Sequence, residues 1–340
     1  MFGRSVRAVV LVLALCVPLA GCAKKASALP KTRIALLTDA AGLDDHSFNQ
    51  LAAAGLTDCM KQTGVEVTTA VPKSADEYEG QLTLLATQDF DAVIAVGDSL
   101  APDLAPVARR LEETHFALIG GIVNAPNVES ITFNEQEGSF LAGALAAQFS
   151  RTKRIAFLGG SRIAPLSAAE TGFIAGAREV DARVRVGTRY VGSFADADRA
   201  KGIARELFAS GVDVVYVVAG KAGLGAIAAT KEPGGGFAIG ADADQAALAP
   251  GRVLASVVKR VDLAAQRVCL EAVARKPVSG HTELGLADGG VQLSGLDATP
   301  GLVGAATIAR LERLQRAIVR GTLKPPANQS ELANFTPGAQ

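Results

Sequence analysis

From Thr32 onward, short β-branched apolar runs alternate with amphipathic stretches of helical period. The pattern predicts strands over 33–38, 65–71, 91–96, 115–119 and 128–133, with helices over 47–63 and 75–87. Gly64 marks the stop of the first helix. The alternation then starts again. Helices are expected over 136–149, 168–180 and 196–210, and strands over 154–158, 184–191, 212–218 and 237–240. A strand at 253–258 and a helix at 261–274 close the series. Continuous apolar strands flanked by helices predict parallel sheets covered on both faces, hence an α/β chain with two doubly wound lobes. More than one crossing between the lobes is expected. Lobe 1 comprises 32–131 plus 259–281, and lobe 2 comprises 132–258 plus 282–324. The polar stretch 325–340, with Pro and Gly, is expected to be a loose surface tail.

The N-terminus changes the picture of where the chain works. Arg4 and Arg7 precede an apolar run from Val9 to Leu19, which ends in Leu19-Ala20-Gly21-Cys22. The run is too short for a stable membrane span and ends in small residues, which fits a cleaved signal peptide over 1–21. The tetrapeptide resembles a bacterial lipobox, which implies acylation of Cys22 and a lipidated tether over 22–31. The expected location is the cell envelope, on a bacterial membrane.

Composition narrows the function. Of 340 residues, 49% are apolar, enough for a large core in one or two domains. The formal net charge of zero argues against a nucleic-acid binder. With no Trp, any aromatic lining a site comes from the few Phe and Tyr. Cys59 and Cys269 lie far apart in helical segments, and the expectation is two buried free thiols, although export permits a disulfide. No metal-ligand spacing occurs among the Cys and the three His, and no cofactor is implied.

In doubly wound sheets ligands bind beyond the carboxyl ends of strands. Polar residues collect there: Asp39 after the first strand, then Asp45, Phe48 and Asn49 in the loop leading into the first helix. Asp98 follows the third strand, Gly120 the fourth and Gly220-Lys221 the strand that holds Tyr216. Asp242 and Asp244 follow another strand, and Lys259 ends the crossing strand. Each alone has a plainer reading as a cap, a surface charge or a core residue, and Asp45 or Ser47 fits an N-cap.

Six motifs occur in order: Asp44-Asp-His-Ser-Phe-Asn-Gln50, Phe133-Asn-Glu-Gln-Glu-Gly-Ser-Phe-Leu-Ala-Gly143, Gly172-Phe-Ile-Ala-Gly176, Ile239-Gly-Ala-Asp-Ala-Asp-Gln245, Ser256-Val-Val-Lys-Arg260 and Leu286-Ala-Asp-Gly-Gly-Val291. Together they resemble the basic membrane protein family of ABC-transporter substrate-binding lipoproteins, which includes the purine nucleoside receptor of spirochaetes. The resemblance implies a type I periplasmic-binding-protein fold, three hinge crossings and a monomer. It also implies a nucleoside ligand, and permease and ATPase subunits as partners. On the family pattern Asp39, Phe48 and Asn49 match ligand-contact positions, with the Phe48 ring on the base, Tyr216 stands where an aromatic covers its second face, and Asp244 and Lys259 match the ribose-binding aspartate and lysine. The chain departs from the pattern in three places. Gly120 stands where relatives commonly place a base-contacting aspartate, Lys221 where a second glycine is usual, and Tyr216 where Phe is more usual. Asp45, Asp98, Gly120, Gly220, Lys221 and Asp242 complete the candidate set.

Catalysis fits less well. Ala219-Gly-Lys-Ala-Gly-Leu-Gly225 follows a strand but lacks the dinucleotide spacing, and no nucleophile–base pair is visible. A ligand sensor or surface receptor on the same scaffold is the alternative, since a fold does not decide between such roles.

Overall fold

A computed structural model describes residues 1–3, 31–294, 296 and 301–338. The expected signal peptide from residue 4 on, Cys22 and all of the tether but Lys31 lie outside the described residues. Residues from Lys31 onward form one compact unit built on two six-stranded sheets.

The first sheet uses β1 (Arg33–Leu37), β2 (Glu66–Ala70), β3 (Ala92–Val96), β4 (Phe116–Ile119) and β5 (Val128–Phe133). Between them run α1 (Phe48–Thr63), α2 (Tyr78–Ala86) and α3 (Ala101–Arg110). The chain then enters the second unit through α4 (Glu135–Phe149). There follow β6 (Arg154–Gly159), α5 (Ala164–Val180), β7 (Arg185–Tyr190), α6 (Ala197–Ala209) and β8 (Val214–Val218). The unit continues with α7 (Gly223–Ala229), β9 (Phe237–Asp242) and β10 (Val253–Lys259). After β10 the chain returns to the first sheet with α8 (Val261–Val273) and β11 (Gly280–Leu284). It crosses a third time to β12 (Val291–Ser294), α9 (Ala305–Val319) and α10 (Gln329–Asn334).

The sheet orders are β11-β5-β4-β3-β1-β2 and β12-β10-β9-β8-β6-β7. Every pairing is parallel except β12 on β10. Buried runs such as Ala92–Val96 and Val214–Val218 have no exposed face, as strands covered on both sides require. β5 runs on to Phe133 and β11 to Leu284, so both lobe 1 segments extend past their expected ends at 131 and 281.

Two glycine-bearing motifs are explained by packing. α4 and α5 lie against each other so closely that a Cβ at Gly143 would collide with the carbonyl of Phe173, and one at Gly176 with that of Phe140. Only hydrogen fits there, and the rest of α4 is buried nearly throughout.

Three expectations are corrected. Cys59 and Cys269 form a disulfide, with Cα atoms 6.5 Å apart. The sequence separation of 210 hides that α1 and α8 pack side by side on the first sheet. The tail 325–340 is not loose through its described part. Asn328 caps α10 by accepting from Glu331 N at 3.0 Å, and Glu331 accepts from Ala327 N at 2.8 Å, a reciprocal capping arrangement. Phe335 then meets Phe140 edge-on with centroids 5.9 Å apart, and Thr171 donates to the Pro326 carbonyl. Helices α3 and α9 are additions. Pro102 falls in the first turn of α3, where its missing N–H costs nothing, although Pro106 lies inside the helix.

Candidate functional site

The carboxyl ends of the two sheets face one another across a cavity. Its lining includes Asp39, Phe48, Asn49, Asp98 and Gly120 from the first sheet. The second sheet contributes Leu166, Phe194, Val218, Gly220 and Asp242, and Glu135 and Lys259 lie at two crossings.

The loop into α1 is held by one carboxylate. Asp45 is buried and accepts from Ser47 N at 3.0 Å, Asn49 N at 2.8 Å and Gln50 N at 3.1 Å, which are donors that the helix itself leaves unsatisfied. Burial outweighs these bonds and pushes its pKa up to about 6. The N-cap position is Ser47, but its hydroxyl donates across the cavity to Asp242 instead. Asn49 is thereby fixed, and donates to Asp39 at 2.6 Å and to the Gly42 carbonyl at 3.1 Å.

At the hinge end, Lys259 Nζ lies 2.8 Å from Glu135 and 2.7 Å from Asp242, and all three side chains are buried. Both carboxylates favour the charged ammonium, so its pKa stands well above the usual lysine range despite burial. Burial pushes the Glu135 carboxyl up against the pull of Lys259. The same ammonium sits 5.0 Å from the Phe48 ring centroid, a cation–π contact. Asp242 has φ of +69°, an uncommon conformation that turns the chain at the end of β9 toward the cavity. A second contact spans the lobes, from Gln245 Nε2 to the His46 carbonyl at 3.3 Å.

The structure therefore brings together Asp39, Phe48, Asn49 and Lys259, with Asp45, Asp98, Gly120, Gly220 and Asp242. It leaves three candidates outside. Tyr216 is fully buried in the middle of β8, where its ring meets Phe157 and Phe173 and its hydroxyl lies 3.1 Å from Ser139 Oγ. A side chain in mid-strand points into the layer beneath the sheet and not past the strand end. Asp244 is exposed and accepts from Ala246 N at 3.0 Å, closing a local turn. Lys221 is half-buried in the turn after β8 and does not line the cavity.

Phe194 is the aromatic that the second sheet brings to the cavity lining, which Tyr216 does not reach. It lies in the loop after β7, its carbonyl accepting from Ala222 N at 2.8 Å and its ring lining the cavity. The signal for it was position alone: Gly192-Ser193-Phe194 follows a strand's carboxyl end. Gly120, with φ of +97°, abuts the edge of the Phe48 ring, since a Cβ there would fall 2.8 Å from it.

The sequence matches the family of PnrA-like ABC transporter substrate-binding proteins over residues 31–329. It is 30% identical over 337 residues to the ABC transporter nucleoside-binding protein BmpA of Lactococcus lactis, covering 91% of this chain and 95% of that protein. It is 29% identical over 316 residues to basic membrane protein A of Borreliella burgdorferi, covering 91% of both. Among solved structures, an ABC transporter solute-binding protein of Aeropyrum pernix superposes with a TM-score of 0.82 at 26% identity, covering 89% of this chain and 96% of that one. The chain belongs to this substrate-binding family, with its two-lobed type I periplasmic-binding fold.

Proposed function

We propose that this member of the PnrA-like family is a lipid-anchored receptor that takes a nucleoside, a purine nucleoside by preference, between its lobes and presents it to a permease. The observation that carries the reading is one aromatic ring on each side of a single cavity, Phe48 and Phe194, next to a buried carboxylate–ammonium cluster. Two rings can hold a base at roughly 1–3 kcal/mol per stacked face. Asp242 can accept from ribose hydroxyls, a charge-assisted contact of roughly 1.5–3 kcal/mol. On this reading Asp242, paired with Lys259 at 2.7 Å, holds the sugar where Asp244 was expected.

Charge supports a nucleoside over a nucleotide. The lining carries the carboxyl groups of Asp39, Asp45, Asp98, Glu135 and Asp242 against the single ammonium of Lys259. A phosphate would enter a field of its own sign and find that ammonium already engaged. The name of the Lactococcus lactis relative, a nucleoside-binding protein, agrees. Ligand contacts to both lobes favour the closed form, because only that form makes both sets. The closed form then docks on permease and ATPase subunits. Leu19-Ala-Gly-Cys22 supports attachment through lipid on Cys22.

Thermal-shift measurements test the ligand class. Nucleosides should raise the melting temperature of the purified protein, with free bases, ribose and nucleoside monophosphates giving much smaller shifts. Stabilisation by monophosphates equal to that by nucleosides would refute the charge argument.

A further inference from the structure

Four of the five carboxyl groups around the cavity are already engaged. Asp39 accepts from Asn49 and from Ala41 N, Asp45 from three backbone amides, Glu135 from Lys259, and Asp242 from Ser47 while it pairs with Lys259. Asp98 differs. It lies just past the carboxyl end of β3, half-buried against the cavity, and its carboxylate receives no hydrogen bond from any described residue. Burial is the cause that pushes its pKa up, so a donor supplied by a ligand would relieve a standing penalty.

Its neighbours give it a direction. Gly120 abuts the edge of the Phe48 ring, and a Cβ on Gly121 would lie 3.1 Å from Asp98 Oδ1. The ring edge, the two glycines and the carboxylate are thus contiguous. A base lying on Phe48 and reaching over the glycines meets Asp98 with its outer edge. An ionised carboxylate only accepts hydrogen bonds. It complements a ring N–H, as in hypoxanthine, guanine and uracil, and opposes the ring nitrogen lone pair of adenine or cytosine.

We propose that Asp98 sets the base preference of this site, accepting from a ring N–H and thereby favouring inosine and guanosine over adenosine. The proposal rests on the nucleoside reading of the cavity. A site built to bond a particular N–H discriminates strongly against the analogue that lacks it, because the buried acceptor is then left unpaired.

Calorimetric titration of inosine, guanosine and adenosine into the wild-type protein and Asp98→Asn tests it. Wild type should bind inosine at least about tenfold more tightly than adenosine. In Asp98→Asn the carboxamide both donates and accepts, so inosine should weaken about tenfold and adenosine should gain. The variant's melting temperature without ligand should be no lower than the wild type's, since the Asp98 side chain has no protein partner to lose and the carboxamide carries no buried charge. An inosine-to-adenosine ratio of one in the wild type, or an unchanged ratio in the variant, overturns the role of Asp98 and leaves the nucleoside reading standing. Wild-type protein that binds none of the three overturns the nucleoside reading, and the proposal with it.

Discussion

Replacing Lys259 with Met removes the charge that two buried carboxylates share, and its effect can be worked from distances. At 2.8 and 2.7 Å, each pair attracts by about 6 kcal/mol at an effective dielectric near 20. Most of that offsets the cost of burying three charges, so the loss on truncation is smaller, about 3–5 kcal/mol for a broken buried ion pair. The methionine keeps the stem's volume, so packing contributes little. In the variant, burial still raises the pKa of Glu135 and the opposing pull of Lys259 is gone, so its folded-state pKa lies further above the unfolded one. Groups raised in this way favour the fold at acid pH and lose that contribution as pH rises through the folded pKa. The deficit of Lys259→Met should therefore be largest near pH 7 and should shrink toward pH 5. Urea unfolding of both proteins at the two pH values measures it. A deficit below about 1 kcal/mol at pH 7, or one that does not change with pH, would refute the claim that this ammonium neutralises the cluster.

Other consequences follow from the same coordinates. Phe194→Ala should weaken nucleoside binding by about 1–3 kcal/mol in calorimetry, whereas Tyr216→Phe should change it by less than twofold, since Tyr216 lies in the core. Reducing the disulfide, or Cys59→Ser with Cys269→Ser, opens a loop of 210 residues and should cost about 2–5 kcal/mol, read as a fall of several degrees in melting temperature. Asp45, with its pKa raised from 3.8 to about 6, takes up a proton in the fold before it does in the unfolded chain. Its contribution therefore favours the fold below pH 4 and is lost as pH rises through 6, and Asp45→Asn should remove this component from the pH dependence of urea unfolding.

The layered architecture was legible because hydrophobic period is a local property. Runs such as Ala92–Val96 and Val214–Val218 betray a doubly covered parallel sheet without reference to any other segment. Site residues were legible for the same reason, since Asp39 sits just past the end of β1 and Phe48 and Asn49 open the helix that follows it. What was hidden depends on tertiary distance or exact orientation. Tyr216 looks like a ligand aromatic until the pairing of β8 buries it, and Phe194 lines the cavity only because its loop folds over the strand ends. Asp242 and Asp244 are two residues apart, and only the folded chain shows Asp242 lining the cavity and Asp244 exposed. The pairing of Cys59 with Cys269 depends on α1 meeting α8, which neither helix announces.

A crystal structure of the protein grown with inosine tests the central claim most directly. The account predicts closed lobes with the base between the rings of Phe48 and Phe194, its N1 within hydrogen-bond distance of Asp98 and its ribose hydroxyls on Asp242. A nucleoside bound elsewhere, or in the cleft with its base away from both rings, would contradict it.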